Sequence, residues 1–261
     1  MPGFLITAIL GAVLSGISLA IFAPYVTLRK VSYLGEALSH IAFAGISIAI
    51  ITGINMNLTA LIFVSLVALA ISALARHQKL QEANTITIFL SLSMALGIIL
   101  ISLSRNYSFD LASYLFGNVL LILPSEAMML GVLAIINTIF VVFFYKELFY
   151  LSYNPEMARV FRIKTGIVDR IFYMLLAANI VLNLKSAGII LVTAQLILPA
   201  VIAFNLVRRL HLAVVVSVLA AVLCAVAGFG ISYGLNLPTG ATIVMCQALL
   251  YALSFVFKRR I

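Results

Sequence analysis

Charge is what this sequence has least of. Only 9% of its 261 residues are charged, where a soluble domain carries about 25%. That is too few to cover a water-facing surface, so a soluble globular fold is excluded. The net charge of +9 would suggest a nucleic-acid partner in a soluble protein. Here the cations sit at the ends of apolar runs, and no nucleic-acid partner is expected. Cysteine is nearly missing too. Cys224 and Cys246 both lie inside apolar runs without metal-ligand spacing, and read as small residues facing lipid or core. There is no Walker motif, so the chain is no enzyme and any ATP hydrolysis belongs to another subunit. No basic leader or small-residue cleavage site precedes the run that starts at Phe4. No internal repeat or low-complexity segment stands out.

Apolar residues fill the space that charge leaves, at 65% of the chain. A membrane-spanning helix needs about 20 of them. Runs can be read at 4–28, 33–54, 57–75, 84–104, 119–145, 167–184, 186–206, 212–233 and 239–257. The expected fold is therefore all-α and polytopic, with eight or nine spans in one transmembrane domain over 1–261. Two runs meet at Asn183–Lys185 with almost no loop, so eight spans and a broken helix is the alternative to nine. The segment 108–117 is too short to span and is expected to be re-entrant or interfacial. With the N-terminus outside and the C-terminus inside, all Lys and Arg except Arg105 and Lys185 fall on the cytosolic side, as the positive-inside rule requires.

Ionisable groups inside a membrane are costly and therefore informative. Most of the seven acidic residues lie at run ends or in loops. Glu36 does not. It lies in the second run, four residues before His40, which puts both on one helix face. Ser32, Ser39 and Ser47 fall on or beside that face. Counted from Lys30 along a continuous helix, His40 lies about 15 Å in, near the middle of the hydrocarbon core. Such a pair can hold helices together, relay protons, or bind a divalent metal. Spacing alone does not choose among these. His77 and His211 lie at cytosolic run ends and read as interfacial.

Three other features carry alternatives. The 146–170 segment holds Asn154, which can cap a helix starting at Pro155, and an amphipathic stretch follows. It reads either as a surface connector or as a docking helix for a cytosolic partner. Gln195 either lines a path or makes an interhelical hydrogen bond. Asp110 is either an outer gate or the cap of a short helix. Gly11, Gly16, Gly45, Gly188 and Gly228 are read as sites of close helix contact.

The stretch Arg29-Lys30-Val31-Ser32-Tyr33-Leu34-Gly35-Glu36-Ala37-Leu38-Ser39-His40 resembles the signature of the permeases of bacterial zinc, manganese and iron ABC importers. Asp110-Leu111-Ala112-Ser113-Tyr114-Leu115-Phe116-Gly117 is similar to a second segment of that family. Asn154-Pro155-Glu156-Met157-Ala158 is similar to its cytosolic element, and Gly188 through Leu198-Pro199-Ala200 to a later span. The resemblance implies a permease in the bacterial inner membrane that imports zinc, or manganese or iron, with no permanently bound cofactor. It implies a second copy of the chain, two cytosolic ATP-binding subunits and an external metal-binding protein as partners. By the same resemblance Glu36 and His40 are the metal site. Asp110, Gln195 and Ser47 are candidates for the path or gate. Asn154, Pro155, Glu156, Ala158, Arg159 and Arg162 couple to the ATPase. Acid should weaken such a site, because the histidine ligand must be neutral. The chain departs from the family at Glu36, where many members have Asp. It departs again at Asn236, where a carboxylate is usual before the last span, and at Arg162, where glycine is common. A proton-coupled secondary metal transporter is the competing reading, since it too places a carboxylate and a histidine in the membrane.

Overall fold

The computed structural model describes residues 3–77, 82–103, 119, 122–161, 163 and 165–257, with backbone alone at 75–77, 82–83, 155–156 and 159. The expected segment 108–117, with Asp110, and the expected coupling residue Arg162 lie outside these. The described residues form helices α1 (Gly3–Ala20), α2 (Ala23–Leu28), α3 (Tyr33–Thr52), α4 (Met56–His77), α5 (Glu82–Leu103), α6 (Pro124–Phe143), α7 (Tyr145–Tyr153), α8 (Pro155–Val160), α9 (Thr165–Gln195), α10 (Leu198–Leu206), α11 (Leu210–Leu235) and α12 (Thr239–Ser254). No strand occurs among them. The all-α polytopic expectation is borne out. In hydrocarbon, each backbone group has to be satisfied within its own segment, which leaves the helix as the natural solution for such runs.

Among the described residues, seven helical stretches are long and apolar enough to cross a membrane. One of these, Thr165–Leu206, is 42 residues long and holds two of the expected runs. The structure moves the break between them. Asn183 is buried inside continuous helix, and the backbone leaves helical geometry only at Gly188, with φ 76° and ψ 164°. Polar side chains at Asn183 and Lys185 mimic a loop in a hydropathy profile. Residues 165–187 rise about 34 Å at 1.5 Å per residue, enough for a core about 30 Å thick. After Gly188 the chain returns, with a second interruption at Leu196–Ile197, where α9 gives way to α10. The 16-residue apolar helix α12 takes the place of the last expected run.

Contacts sort the helix ends into two faces. Lys185 reaches Glu126 at the start of α6, and Gly240 at the start of α12 lies against Ala187. Leu5 and Ala8 near the start of α1 pack on Phe229 near the end of α11. At the other face Arg29 meets Asp169 near the start of α9, and Asn205 donates to Ser254 at the end of α12. The start of α1 and the end of α12 therefore lie at opposite faces.

Helices in lipid are held by close packing and interhelical hydrogen bonds, since lipid tails are as apolar as leucine. Both are present. A β-carbon on Gly45 would stand 2.7 Å from Ala60 Cα, and one on Gly228 2.7 Å from Ile243 Cα, so α3 touches α4 and α11 touches α12 backbone to backbone. A buried asparagine cluster ties α1, α6 and α9. Asn137 Nδ2 donates to Ser18 O at 3.1 Å and to Asn179 Oδ1 at 2.9 Å. Asn183 Nδ2 donates to Ser18 Oγ at 3.3 Å. Phe22 stacks edge-on against Phe172 at 5.1 Å.

Candidate metal path

Helix α3 carries the expected pair. It packs on α4, α5 and α9 and buries 13 of its 20 residues. Yet Tyr33 is 43% exposed, Glu36 is exposed and His40 is half-buried. Offsets of three and four residues place all three on one stripe. A helix otherwise enclosed by its own chain thus presents one polar, ionisable edge.

The depth of that edge differs from the expectation. The helix does not run through Lys30, which stands in the left-handed region at φ 60°. The chain turns there, with Arg29 and Val31 donating back to Tyr25 and Val26 carbonyls, and α3 begins at Tyr33. Glu36 lies in the first turn. His40 lies about 10 Å along a helix about 30 Å long, nearer the Arg29 end than the midpoint.

Ser39 and Ser47 take no part in the exposed stripe. Both are fully buried and donate to the carbonyls of Gly35 at 2.8 Å and Phe43 at 2.9 Å. Such back-bonding satisfies a hydroxyl within its own helix. Gly35, beside Glu36, is where a β-carbon would stand 2.7 Å from Leu196 Cδ1. The turn that bears Glu36 therefore rests on the interruption between α9 and α10. Gln195 is fully buried on the far side of that interruption, its Nε2 3.4 Å from the position of a β-carbon on Gly16. Neither its Nε2 nor its Oε1 has a hydrogen-bond partner among the described residues, and the same is true of Gln247. The expected interhelical hydrogen bond of Gln195 is not made there.

No group of three or more His, Cys, Asp or Glu gathers among the described residues. On the exposed stripe of α3 Glu36 and His40 supply one carboxylate and one imidazole.

A second polar centre, not anticipated from the sequence, lies below α3. Arg29 Nη2 and Asp169 Oδ1 pair at 2.6 Å, both largely buried. Ser72 Oγ of α4 donates to Asp169 Oδ2 at 3.0 Å. The guanidinium also lies over the rings of Phe172 at 4.9 Å and Tyr173 at 5.3 Å, a cation–π arrangement that suits the planar arginine. The available signal was weak. Asp169 is one of seven acids and sits between basic residues at a run end, where a solvated position is the ordinary reading.

The expected short helix opening at Pro155 forms. Asn154 Oδ1 accepts from Met157 N–H at 3.1 Å, the capping bond anticipated for a helix opening at Pro155. Ala158 is fully buried, Met157 and Val160 are exposed, and Phe161 packs on Tyr150 at 5.9 Å. The helix joins directly to α9 through Ile163 and Thr165. Asn236, where the family resemblance lacks a carboxylate, caps α11 in the left-handed region at φ 52°, a conformation that asparagine tolerates.

The chain is 33% identical over 255 residues to the manganese transport system membrane protein MntC of Listeria innocua, covering 98% of this chain and 91% of that protein. It is 29% identical over 252 residues to the high-affinity zinc uptake system membrane protein ZnuB of Haemophilus influenzae, covering 95% and 96%. Among solved structures, PsaBC from Streptococcus pneumoniae in complex with Fab superposes with a TM-score of 0.83 at 27% identity, covering 97% of this chain and 91% of that one. A family model matches residues 1–258, and the chain is a member of the ABC 3 transport family, a membrane permease.

Proposed function

We propose that this permease imports divalent transition-metal ions as one of two copies that face each other across Glu36 and His40, in the bacterial cytoplasmic membrane. The observation that carries the proposal is the exposed Tyr33–Glu36–His40 edge on an otherwise enclosed helix. An ionisable edge facing lipid is costly. Facing a second copy across a polar path, it becomes two carboxylates and two imidazoles, enough for four-coordinate zinc or, with water, for manganese. The naming of relatives for manganese and for zinc supports this class of cargo. The ligand set favours zinc slightly, through histidine, and an external binding protein would set much of the selection.

Coupling to separate ATP-binding subunits is assigned to 154–165. That segment leads into α9, and Asp169, one turn further on, grips Arg29 at the turn before α3. Movement at the cytosolic end thereby reaches the helix bearing Glu36. Orientation with the N-terminus outside follows from the lysines and arginines.

Uptake of radioactive zinc and manganese by the reconstituted complex tests the site. Glu36→Ala and His40→Ala should each abolish most uptake while the complex still assembles. Normal uptake by both variants would sink the metal-site reading. Uptake by the permease alone, driven by a pH gradient without ATP, would establish the secondary-transporter alternative instead.

A further inference from the structure

Beside α1 lies a groove of about 700 Å³ between α6 and α11, within the few-hundred-to-1,000 Å³ range usual for ligand sites. Helix α1 packs on both α6 and α11, while those two make little contact with each other. The groove has polarity along its length. On α11 its wall is His211, Val214, Val215, Val218 and Leu219, a helical stripe about 12 Å long. The facing walls run from Ile17 to Tyr25 and from Thr138 to Tyr145. All the side chains toward one end are aliphatic except Thr138, whose hydroxyl donates to Ala134 O. At the other end stand Tyr25, Tyr145 and His211. Tyr25 is fully buried, and its hydroxyl has no hydrogen-bond partner among the described residues. Exposed Lys146, Arg208 and Arg209 flank that end in sequence, with Glu147 the acidic residue beside them.

We propose that this groove binds one anionic phospholipid per chain. An acyl chain lies along the Val214–Leu219 stripe, and the phosphate sits at the basic end, where the Tyr25 hydroxyl and the flanking cations meet it. Two features of the groove favour this occupant. A groove that is apolar at one end and at the other holds an unmet hydroxyl, with exposed Lys146, Arg208 and Arg209 close in sequence to its Tyr145 and His211 walls, matches an amphiphile rather than a wholly apolar partner face. The basic end lies at the same face as Arg29 and the end of α12, which is the level of a headgroup when the aliphatic end lies in hydrocarbon.

The test uses the delipidated permease complex, with phosphatidylglycerol or phosphatidylcholine added in mixed micelles and bound lipid counted by native mass spectrometry. The wild type should retain one phosphatidylglycerol per permease chain and prefer it over phosphatidylcholine by roughly tenfold. Val215→Trp, which fills the groove from a side chain now 54% exposed, should lose both lipids. Joint replacement of Arg208 and Arg209 by Ala should keep a lipid but erase the headgroup preference. Equal retention of both lipids by the wild type would overturn the proposal. So would lipid retention by a Val215→Trp complex of unchanged melting temperature. If Val215→Trp instead splits the permease pair into single copies, a second copy covers this face and the lipid assignment falls.

Discussion

A buried carboxylate near a membrane face is costly unless its partner is close, and Asp169 shows what that partner does. Breaking a buried pair by removing one member strands the other charge, at about 3–5 kcal/mol. Asp169→Ala should therefore lower the melting temperature of the detergent-solubilised protein more than almost any other single change near that face. Replacing Arg29 and Asp169 together by Met and Leu should recover much of the loss, because a hydrophobic substitute removes both desolvation costs. Equal stability of the single variant and the wild type would show that the pair holds nothing. The asparagine cluster is a gentler case. Asn137→Leu removes donors to Ser18 O and Asn179 Oδ1 and should cost about 1–2 kcal/mol, read from the same melts. That Glu36 and His40 share one helix face was legible from spacing, because ionisable residues four apart inside an apolar run stand out. That Arg29 meets Asp169 was not. They are separated by 140 residues, and each alone looks like an ordinary charge at a run end.

At the level of elements, nearly every expected run corresponds to a helix, and the informative difference is where the sixth one stops. Hydropathy placed the break at Asn183–Lys185, whereas the backbone breaks at Gly188. A φ of 76° suits glycine and costs an L-residue about 1–2 kcal/mol or more. Gly188→Val should impair folding of the return segment, seen as lower yield of folded permease and faster proteolysis near 188, and Gly188→Asn should share the defect, because ψ 164° lies outside the left-handed helical region that asparagine tolerates. The same reasoning at Gly45 is steric rather than conformational. With Ala60 Cα 2.7 Å from any added β-carbon, Gly45→Leu must push α3 from α4, at about 1–3 kcal/mol. A melt unchanged by that substitution would mean the two helices can part freely.

For the whole molecule, the start of α1 and the end of α12 fall at opposite faces, and the proposal that the N-terminus is outside rests on the distribution of cations. With Cys224 and Cys246 replaced by Ala, a single cysteine at position 4 should react with a membrane-impermeant maleimide in intact cells. One at position 256 should react only after permeabilisation. The reverse pattern would overturn the assigned orientation.

The sequence by itself determined that the chain is an all-α polytopic membrane protein, roughly where its apolar runs lie and that Glu36 and His40 share one face of α3. Those are consequences of composition and of period along one helix, and both are local. The tertiary structure alone decided that Glu36 and His40 lie on an exposed edge while Ser39, Ser47 and Gln195 are enclosed. It also decided that Arg29 meets Asp169 and that a polar-ended groove opens between α6 and α11. These depend on which helices become neighbours. That choice is made by close backbone approach and buried hydrogen bonds between residues far apart in the chain, and a scarcity of charge says nothing about it.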